Sequence, residues 1–506
     1  MTDTQVLKIG TRTLVHFHHQ IFDDLGFMLY EPLVRYRPRS DGDKVVPATL
    51  DDIVPRLITG WTVSKDGLQY VLNVRQGIKS SRGNPLTAAD IKWSWDRGLL
   101  ARRQGRFTAR IAPLRDENSI EVLDDYTVRF TLEHPNVTFP HFLTSKYIHI
   151  YDSVECRRHV TKDDPWAEGW LASNSAGYGP FTVESYDVER EIATYAANPY
   201  YFDGQEPRLK TIQRIGIQSL EERVRRFKSG ELDIITSLSG DDFLSLSAQT
   251  NTKAYKVHGH DPLLMQMNCQ KAPFDRVEVR QAISFAVPYK QIAAEIWKGQ
   301  HRSMRSPFVD ACAGYTEEFF EYRTDLEKSK ALLRQAGFSG AEIEASLMIC
   351  PEFSPHIRPT AEAIATSLGK IGIKVNIEEV DEHKLRTAGF SHEFDMMLDP
   401  HIHMIADDYY ISLCDYGDAK WGVENLNQYF NEEVFALQKE SLYAKTESER
   451  IEFSRKMQKS ILQGAPQAFL LQLNTLMISG DHVHGLKWDP NGRIHYHELS
   501  KTSRSS

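Results

Sequence analysis

Two groups of histidines lie close enough along the chain to act together on one ligand, namely His16, His18 and His19 near the start, and His401 with His403 further on. Imidazoles at such spacing coordinate a transition metal when a folded site adds ligands; otherwise they line a polar pocket or make structural hydrogen bonds. No HExxH stretch and no Cys/His zinc spacing accompanies them, so the sequence assigns no metal ligand set and no cofactor. Asp407 and Asp408 suit acid/base work. No GxSxG elbow or other recognisable nucleophile pairs with them, which favours solvated or ligand-orienting acids. The run AGYGPF contains Gly177 and Gly179, but Pro180 lacks the backbone donor that a phosphate-cradling loop would need. Trp170 precedes a loop rich in Ser, Asn and Gly and is a candidate pocket wall. Cys156, Cys269, Cys312, Cys350 and Cys414 are odd in number and widely spaced, as expected of buried structural thiols rather than a disulfide framework or a CxxC motif. Together these residues point to binding rather than catalysis, and no enzyme activity is expected.

The chain has 506 residues, 41% hydrophobic and 25% charged, which is enough for two or three packed units of an ordinary globular protein. Its formal charge of −9 gives no positive field to draw it onto a phosphate backbone, so nucleic acid is not an expected partner. No apolar run approaches the roughly 20 residues of a membrane-spanning helix, and MTDTQVLKIG lacks the pattern of a secretory signal. If the natural product is exported, the expectation is a mature or recombinant form whose leader Met1 replaced.

Helix and strand signals alternate, which implies an α/β architecture. Thr87 and Asp90 make a capping-box pattern, after which Ile91, Trp95 and Leu99 form an apolar stripe; LQYVLNVR before it alternates like a strand. Asp275 and Glu278 make a second capping-box pattern before Val279, Ile283 and Ala286, interrupted at Pro288. A short helix carrying Ile292 and Ile296 should stop at Gly299. DLEKSKALLRQAGF reads as a helix closed by Gly337, ASLMI as a strand, TAEAIATSLGKIG as a helix and IKVNI as a strand. That order is a βαβ unit with a parallel pair, and Phe394 to Leu398 is the next strand. With no Ser/Gly-rich linker between these pieces, interleaved domains are expected.

Several separated stretches carry a resemblance: LYEPLVRYRP, ITGWTVSKDGLQYVLNVRQGIKSSRGNPLTAADIKWSW, GYGPFTVESY, NPYYFDGQEP, FKSGELDI, MNCQKAPFDRVEVRQAISFAV, LEKSKALLRQAGF and GIKVNIEEV. In order and spacing the chain resembles the family 5 extracellular solute-binding proteins, which include dipeptide-, oligopeptide- and nickel-binding receptors. The resemblance implies a two-lobed, type II periplasmic-binding-protein-like fold that closes on a ligand, with an extra small domain inserted in the first lobe. Lobe I would comprise residues 1–45, 169–262 and 479–506, the inserted domain 46–168 and lobe II 263–478. It also implies a small-molecule ligand, an ABC transporter permease as partner, a monomer, and a periplasmic or cell-surface location.

Departures from the family pattern shape the expected ligand. Dipeptide and oligopeptide receptors are similar in placing an aspartate against the ligand's amino group; here Ile402 stands at that place. The arginine that dipeptide receptors use for the carboxylate would fall at Pro351 or Glu352, with Arg358 several residues late. A buried ligand terminus without an ionic partner costs several kcal/mol, which argues against an ordinary free dipeptide unless Asp399, Asp407 or Asp408 substitutes. The expected ligand-binding set is therefore His16, His18, His19, Asn174, Tyr178, Glu352, Phe353, Arg358, His401, His403, Asp407 and Asp408. Tyr409 and Tyr410 add hydrogen-bonding and stacking surface. Peptide-like, opine-like and oligosaccharide solutes fit such groups, with a metal chelate as a further class. A sensing receptor using the same closure is the alternative to transport.

Overall fold

The computed structural model describes residues 5–12, 28–37, 49–100, 112–144, 148–203, 207–338, 343–401, 403, 405–418, 424–490 and 492–504. An eleven-stranded mixed sheet runs through the molecule. Its strands are β1 (Val6–Thr11), β2 (Phe181–Asp187), β3 (Ile192–Ala197), β4 (Thr211–Gly216), β5 (Ile234–Thr236), β6 (Thr252–Met267), β7 (Ile343–Ile349), β8 (Ile373–Glu379), β9 (Met396–Pro400) and β10 (Gln467–Gly480). They lie in the order β8-β7-β9-β6-β10-β5-β1-β4-β3-β2, and the two-residue strand Arg302–Ser303 pairs with β10 off this path.

The long strands β6 and β10 are the seam. They pair antiparallel from Thr252↔Gly480 to Gln266↔Gln467. At one end β10 meets β5, through Ile234↔Ser479; at the other β6 meets β9, through Met267↔Met396. One half of the sheet is thus built around β5, β1 and β4, the other around β9, β7 and β8.

The helix expected before Gly337 is α3 (Leu326–Gln335), and the expected βαβ unit follows it: β7, helix α4 (Ile357–Gly369) and β8, with Ile343↔Ile373 through Ile349↔Glu379 in parallel register. The parallel pair is covered by α4, whose Ile357, Ala361, Ile364 and Leu368 are buried against Leu347, Ile349 and Ile373, the burial that such a pair requires. A four-stranded antiparallel sheet, formed by strands within residues 58–131, packs under helix α1 (Ala88–Leu100). One half of the expected Thr87–Asp90 capping box is present, the Thr87 N–H donating to Asp90 Oδ2 at 2.8 Å, and Ile91, Trp95 and Leu99 are buried.

Three details differ from the sequence expectations. Helix α2 (Val277–Ala286) has Arg276, not Asp275, at its N-cap, with no side-chain cap; Asp275 closes the preceding turn, its N–H donating to the Lys271 carbonyl, and the helix starts one residue later than expected. The stretch with Ile292 and Ile296 is a π-helical turn, Gln291–Ile296, ended by Lys298 and Gly299 with positive φ. The strand expected from Phe394 begins at Met396. All five cysteines are buried free thiols. Among the described residues no helix is long and apolar enough to cross a membrane.

Candidate functional site

A cleft of 760 Å³ opens where the two halves of the sheet face each other across the seam. Its floor is the middle of the seam, Asp261 on β6 and Leu473 to Leu476 on β10. Arg12, Gln218, Leu220, Arg223, Ser237 and Leu238 line one side; Trp297, His301, the segment Pro351–Ile357, Glu382, Arg386, Pro400 and His401 line the other. Such a volume suits a small organic solute.

The first wall is held by Arg223, whose guanidinium donates to the carbonyls of Ile217, Gln218 and Ser237, so three loop ends are tied to one buried side chain. On the facing wall, Arg386 of helix α5 (Glu382–Ser391) reaches back to Asp399 Oδ1 at 2.9 Å and to the Pro400 carbonyl at 3.2 Å. Its guanidinium lies over the Phe353 ring, 5.4 Å from the centroid. Trp297 donates to Thr360 Oγ1 at 2.9 Å, fixing its indole beside His301 and His356. Burial pushes His301 down to about 3, with His356 adding to the shift, and burial also lowers His356, so both present neutral rings near pH 7. At the mouth the walls touch: Gly240 N–H donates to His356 Nε2 at 3.3 Å, and Lys298 Nζ lies 3.4 Å from Asp241.

Behind this wall is a buried polar cluster. His401 Nδ1 lies 3.0 Å from Asp399 Oδ2, and its Nε2 lies 3.2 Å from Asp415 Oδ1. Burial opposes a charge on His401, but the Asp415 and Asp399 carboxylates outweigh it and raise the ring well above its usual range. Asp399 is held below the carboxylate range in return: burial opposes, and His401 and Arg386 prevail.

Of the residues expected from the sequence, Glu352, Phe353 and His401 line the cleft. His403 sits behind His401, almost fully buried, with Nε2 3.1 Å from Asp415 Oδ2. The others are engaged elsewhere. Asp407 caps helix α6 (Asp408–Tyr416), accepting from Tyr410 N–H at 2.8 Å, and pairs with buried Arg450 at 3.2 Å. Asp408 accepts from Gly314 N–H at 3.0 Å. Tyr178 is a core residue with no exposed surface. Asn174 donates to the Trp170 carbonyl at 3.0 Å, and Trp170 is no pocket wall, because His159 stacks on one face at 4.1 Å and Arg82 approaches its ring at 5.5 Å. Arg358 stands in the first turn of α4, where Glu379 and Glu362 take its charge, so no loop returns it to the cleft. His16, His18, His19 and Ile402 lie outside the described residues.

Arg386, Trp297, His356 and Arg223 are cleft residues that the sequence does not announce. No local pattern marks Arg386, which lies on an ordinary amphipathic helix and reaches the cleft only because α5 packs beside β9. His356 belongs to the CPEFSPH stretch, and its spacing from Glu352, four residues on the same turn-rich segment, is the one available signal.

Comparison with known proteins agrees with this geometry. Residues 52–421 match the family described as bacterial extracellular solute-binding proteins, family 5 middle region. The probable D,D-dipeptide-binding periplasmic protein DdpA of Escherichia coli K12 is 26% identical over 462 residues, 91% of this chain and 86% of that protein. Among solved structures, the Helicobacter pylori periplasmic binding protein DppA with the peptide STSA superposes with a TM-score of 0.83 at 22% identity, over 98% of each chain. AgaA from A. tumefaciens R10 with agropinic acid gives a TM-score of 0.82 at 21% identity, over 99% of each. The mixed sheet, the shared seam and the cleft across it are thus those of a type II periplasmic binding protein, and the chain belongs to the family 5 bacterial extracellular solute-binding proteins.

Proposed function

We propose that this chain is the substrate-binding component of an ABC importer that captures a small peptide-like or opine-like solute in the interlobe cleft and presents the closed complex to its permease. The observation that carries this reading is the lining itself. Side chains of both charge signs, Arg12 and Arg386 against Asp261, Glu352 and Glu382, face one 760 Å³ space from both halves of the sheet. A zwitterionic solute meets that arrangement better than a neutral oligosaccharide, because its two charged ends can each make a charge-assisted hydrogen bond that a hydroxyl cannot. The relatives' ligands, a D,D-dipeptide, a tetrapeptide and agropinic acid, are compounds of the same chemical range. A solute touching both lobes stabilises the closed state by its differential affinity, and no bond need break. The proposal includes the division into lobe I (residues 1–45, 169–262 and 479–506), an inserted domain (46–168) and lobe II (263–478), a monomeric state and a periplasmic or cell-surface location.

Native mass spectrometry of the purified protein, before and after unfolding and refolding, tests the reading. The expected result is a retained organic mass whose return raises the melting temperature; at a hundredfold excess over Kd the added stability is about 2.7 kcal/mol. If no mass is retained and peptides, opines, sugars and metal chelates all leave the melting temperature unmoved, the proposal is wrong for this chain.

A further inference from the structure

Two imidazoles and a carboxylate converge just behind the cleft wall. His401, His403 and Asp415 are buried, and one ligating atom from each lies within 4.8 Å of the other two. Each ring is fixed through the nitrogen that faces away from the cluster: His401 Nδ1 lies 3.0 Å from Asp399 Oδ2, and His403 Nδ1 lies 3.2 Å from the His260 carbonyl oxygen. Asp399 is in turn held by Arg386. Metal-ligating histidines are oriented in this way, one ring N–H donated to a carboxylate or carbonyl and the other nitrogen left to present its lone pair. Both Nε2 atoms aim at Asp415, at 3.2 Å from Oδ1 and 3.1 Å from Oδ2. His401 Nε2 and Asp415 Oδ1 approach without making a hydrogen bond, and both atoms are buried.

Charge points the same way. Among the described residues one guanidinium, Arg386, faces Asp399, while Asp415 and Glu424, whose Oε2 is 3.6 Å from His401 Nε2, meet only the imidazoles as basic partners. A divalent cation would offset these carboxylates inside the protein.

We infer that His401, His403 and Asp415, with Glu424 as a fourth ligand, form a binding site for a divalent first-row transition metal that the protein itself holds. Zinc bonds of about 2.0–2.2 Å set tetrahedral ligand atoms roughly 3.3 Å apart, so the longest edge of the triangle, no more than 4.8 Å, contracts by at most about 1.5 Å. The ion would stand behind His401, fixing the orientation of a ring that lines the cleft, whatever the identity of the solute. A second cluster, His495, His497 and Glu498, serves as an internal control, because Arg56 lies 2.9 Å from Asp203, the carboxylate beside His497, and a cation there would meet a charge of its own sign.

The test uses the full-length protein, stripped with a chelator and titrated with Zn²⁺ alone. Elemental analysis should find one ion per chain and the melting temperature should rise. His403→Gln and Asp415→Asn should each weaken binding at least tenfold, while His495→Gln leaves it unchanged. Because Asp415→Asn removes a buried partner and can unfold the chain, zinc-edge X-ray absorption on the wild type gives an independent readout, expected to show two imidazole ligands. Absence of stoichiometric zinc, undiminished binding in a folded His403→Gln protein, loss of binding in His495→Gln, or a shell with fewer than two imidazoles would overturn the inference. Running the solute screen with and without zinc separates the two proposals, since zinc uptake without any solute response sinks only the function proposed above.

Discussion

Adjacent carboxylates with different partners show how little residue type alone says about role. Asp407 and Asp408 look equivalent in the sequence, yet Asp407 caps a helix and pairs with Arg450, whereas Asp408 is buried beside it and receives the Gly314 N–H. Burial, then the charge of Asp407, pushes Asp408 up to about 6 from an ordinary 3.8. The unfolded carboxyl therefore loses its proton at lower pH than the folded one. Between those values the folded state holds more protons, so stability falls as pH rises through the window and the cost, up to about 3 kcal/mol, is fully present at pH 7. Asp408→Asn, which still accepts from Gly314, should raise the melting temperature at pH 7.5, with the gain vanishing below about pH 4. A gain of equal size at both pH values would show that ionisation of Asp408 is not its source. Neither acid faces the cleft, although their sequence position beside His401 and His403 suggests that they would. The direction of each side chain depends on where α6 starts, and a cap exchanged for a pocket group by one residue of phase is invisible without the fold. Histidine pairing at 401 and 403 is legible as a cluster; its carboxylate partner Asp415 is not, because it comes from the far end of the same helix.

Elements are more legible than side chains, because hydrophobic period and capping are local. The Thr87–Asp90 contact, the stripe on α1 and the β7-α4-β8 unit follow directly from spacing, whereas Asp275 belongs to the preceding turn and α2 starts after Arg276. The glycines of AGYGPF carry a signal of a different kind. A Cβ on Gly177 would lie 2.2 Å from the Leu29 carbonyl oxygen, and one on Gly179 would lie 2.5 Å from the Met28 carbonyl oxygen. Gly179 N–H donates to Leu29 O at 3.0 Å, so the loop leading into β2 is pressed against the backbone of Met28–Tyr30. The glycines are there for close backbone approach rather than for phosphate. Gly179→Ala must move one backbone from the other, at about 1–3 kcal/mol, and should lower the denaturant midpoint without altering the slope. An unchanged midpoint would mean that the two segments separate freely and that the contact does not hold β2 in place.

The whole molecule turns on the seam. Every covalent path between the halves that runs through the sheet uses β6 or β10, and their register breaks between His258 and Asp261. Arg302 braces that break, donating to Gly259 O at 3.1 Å and Asn474 Oδ1 at 2.8 Å, while Asn474 donates to Gln300 O at 2.8 Å. A bend there changes the angle between the walls without unpairing either end of the ladder. The mouth contacts Gly240–His356 and Lys298–Asp241 exist only when the walls are together. They therefore bias the open–closed equilibrium while touching no solute. An apparent Kd equals the intrinsic Kd divided by the fraction of competent protein, so weakening the mouth should weaken binding even with an intact cleft. Lys298→Glu converts the exposed ion pair into a repulsion of up to about 1 kcal/mol. For whichever solute mass spectrometry identifies, it should raise the apparent Kd roughly two- to fivefold at low salt, less at high salt. Small-angle scattering should show the solute-free variant more expanded than the solute-free wild type, and both converging on one compact form at saturation. Equal affinities, or scattering that does not change on binding, would place closure somewhere other than this mouth.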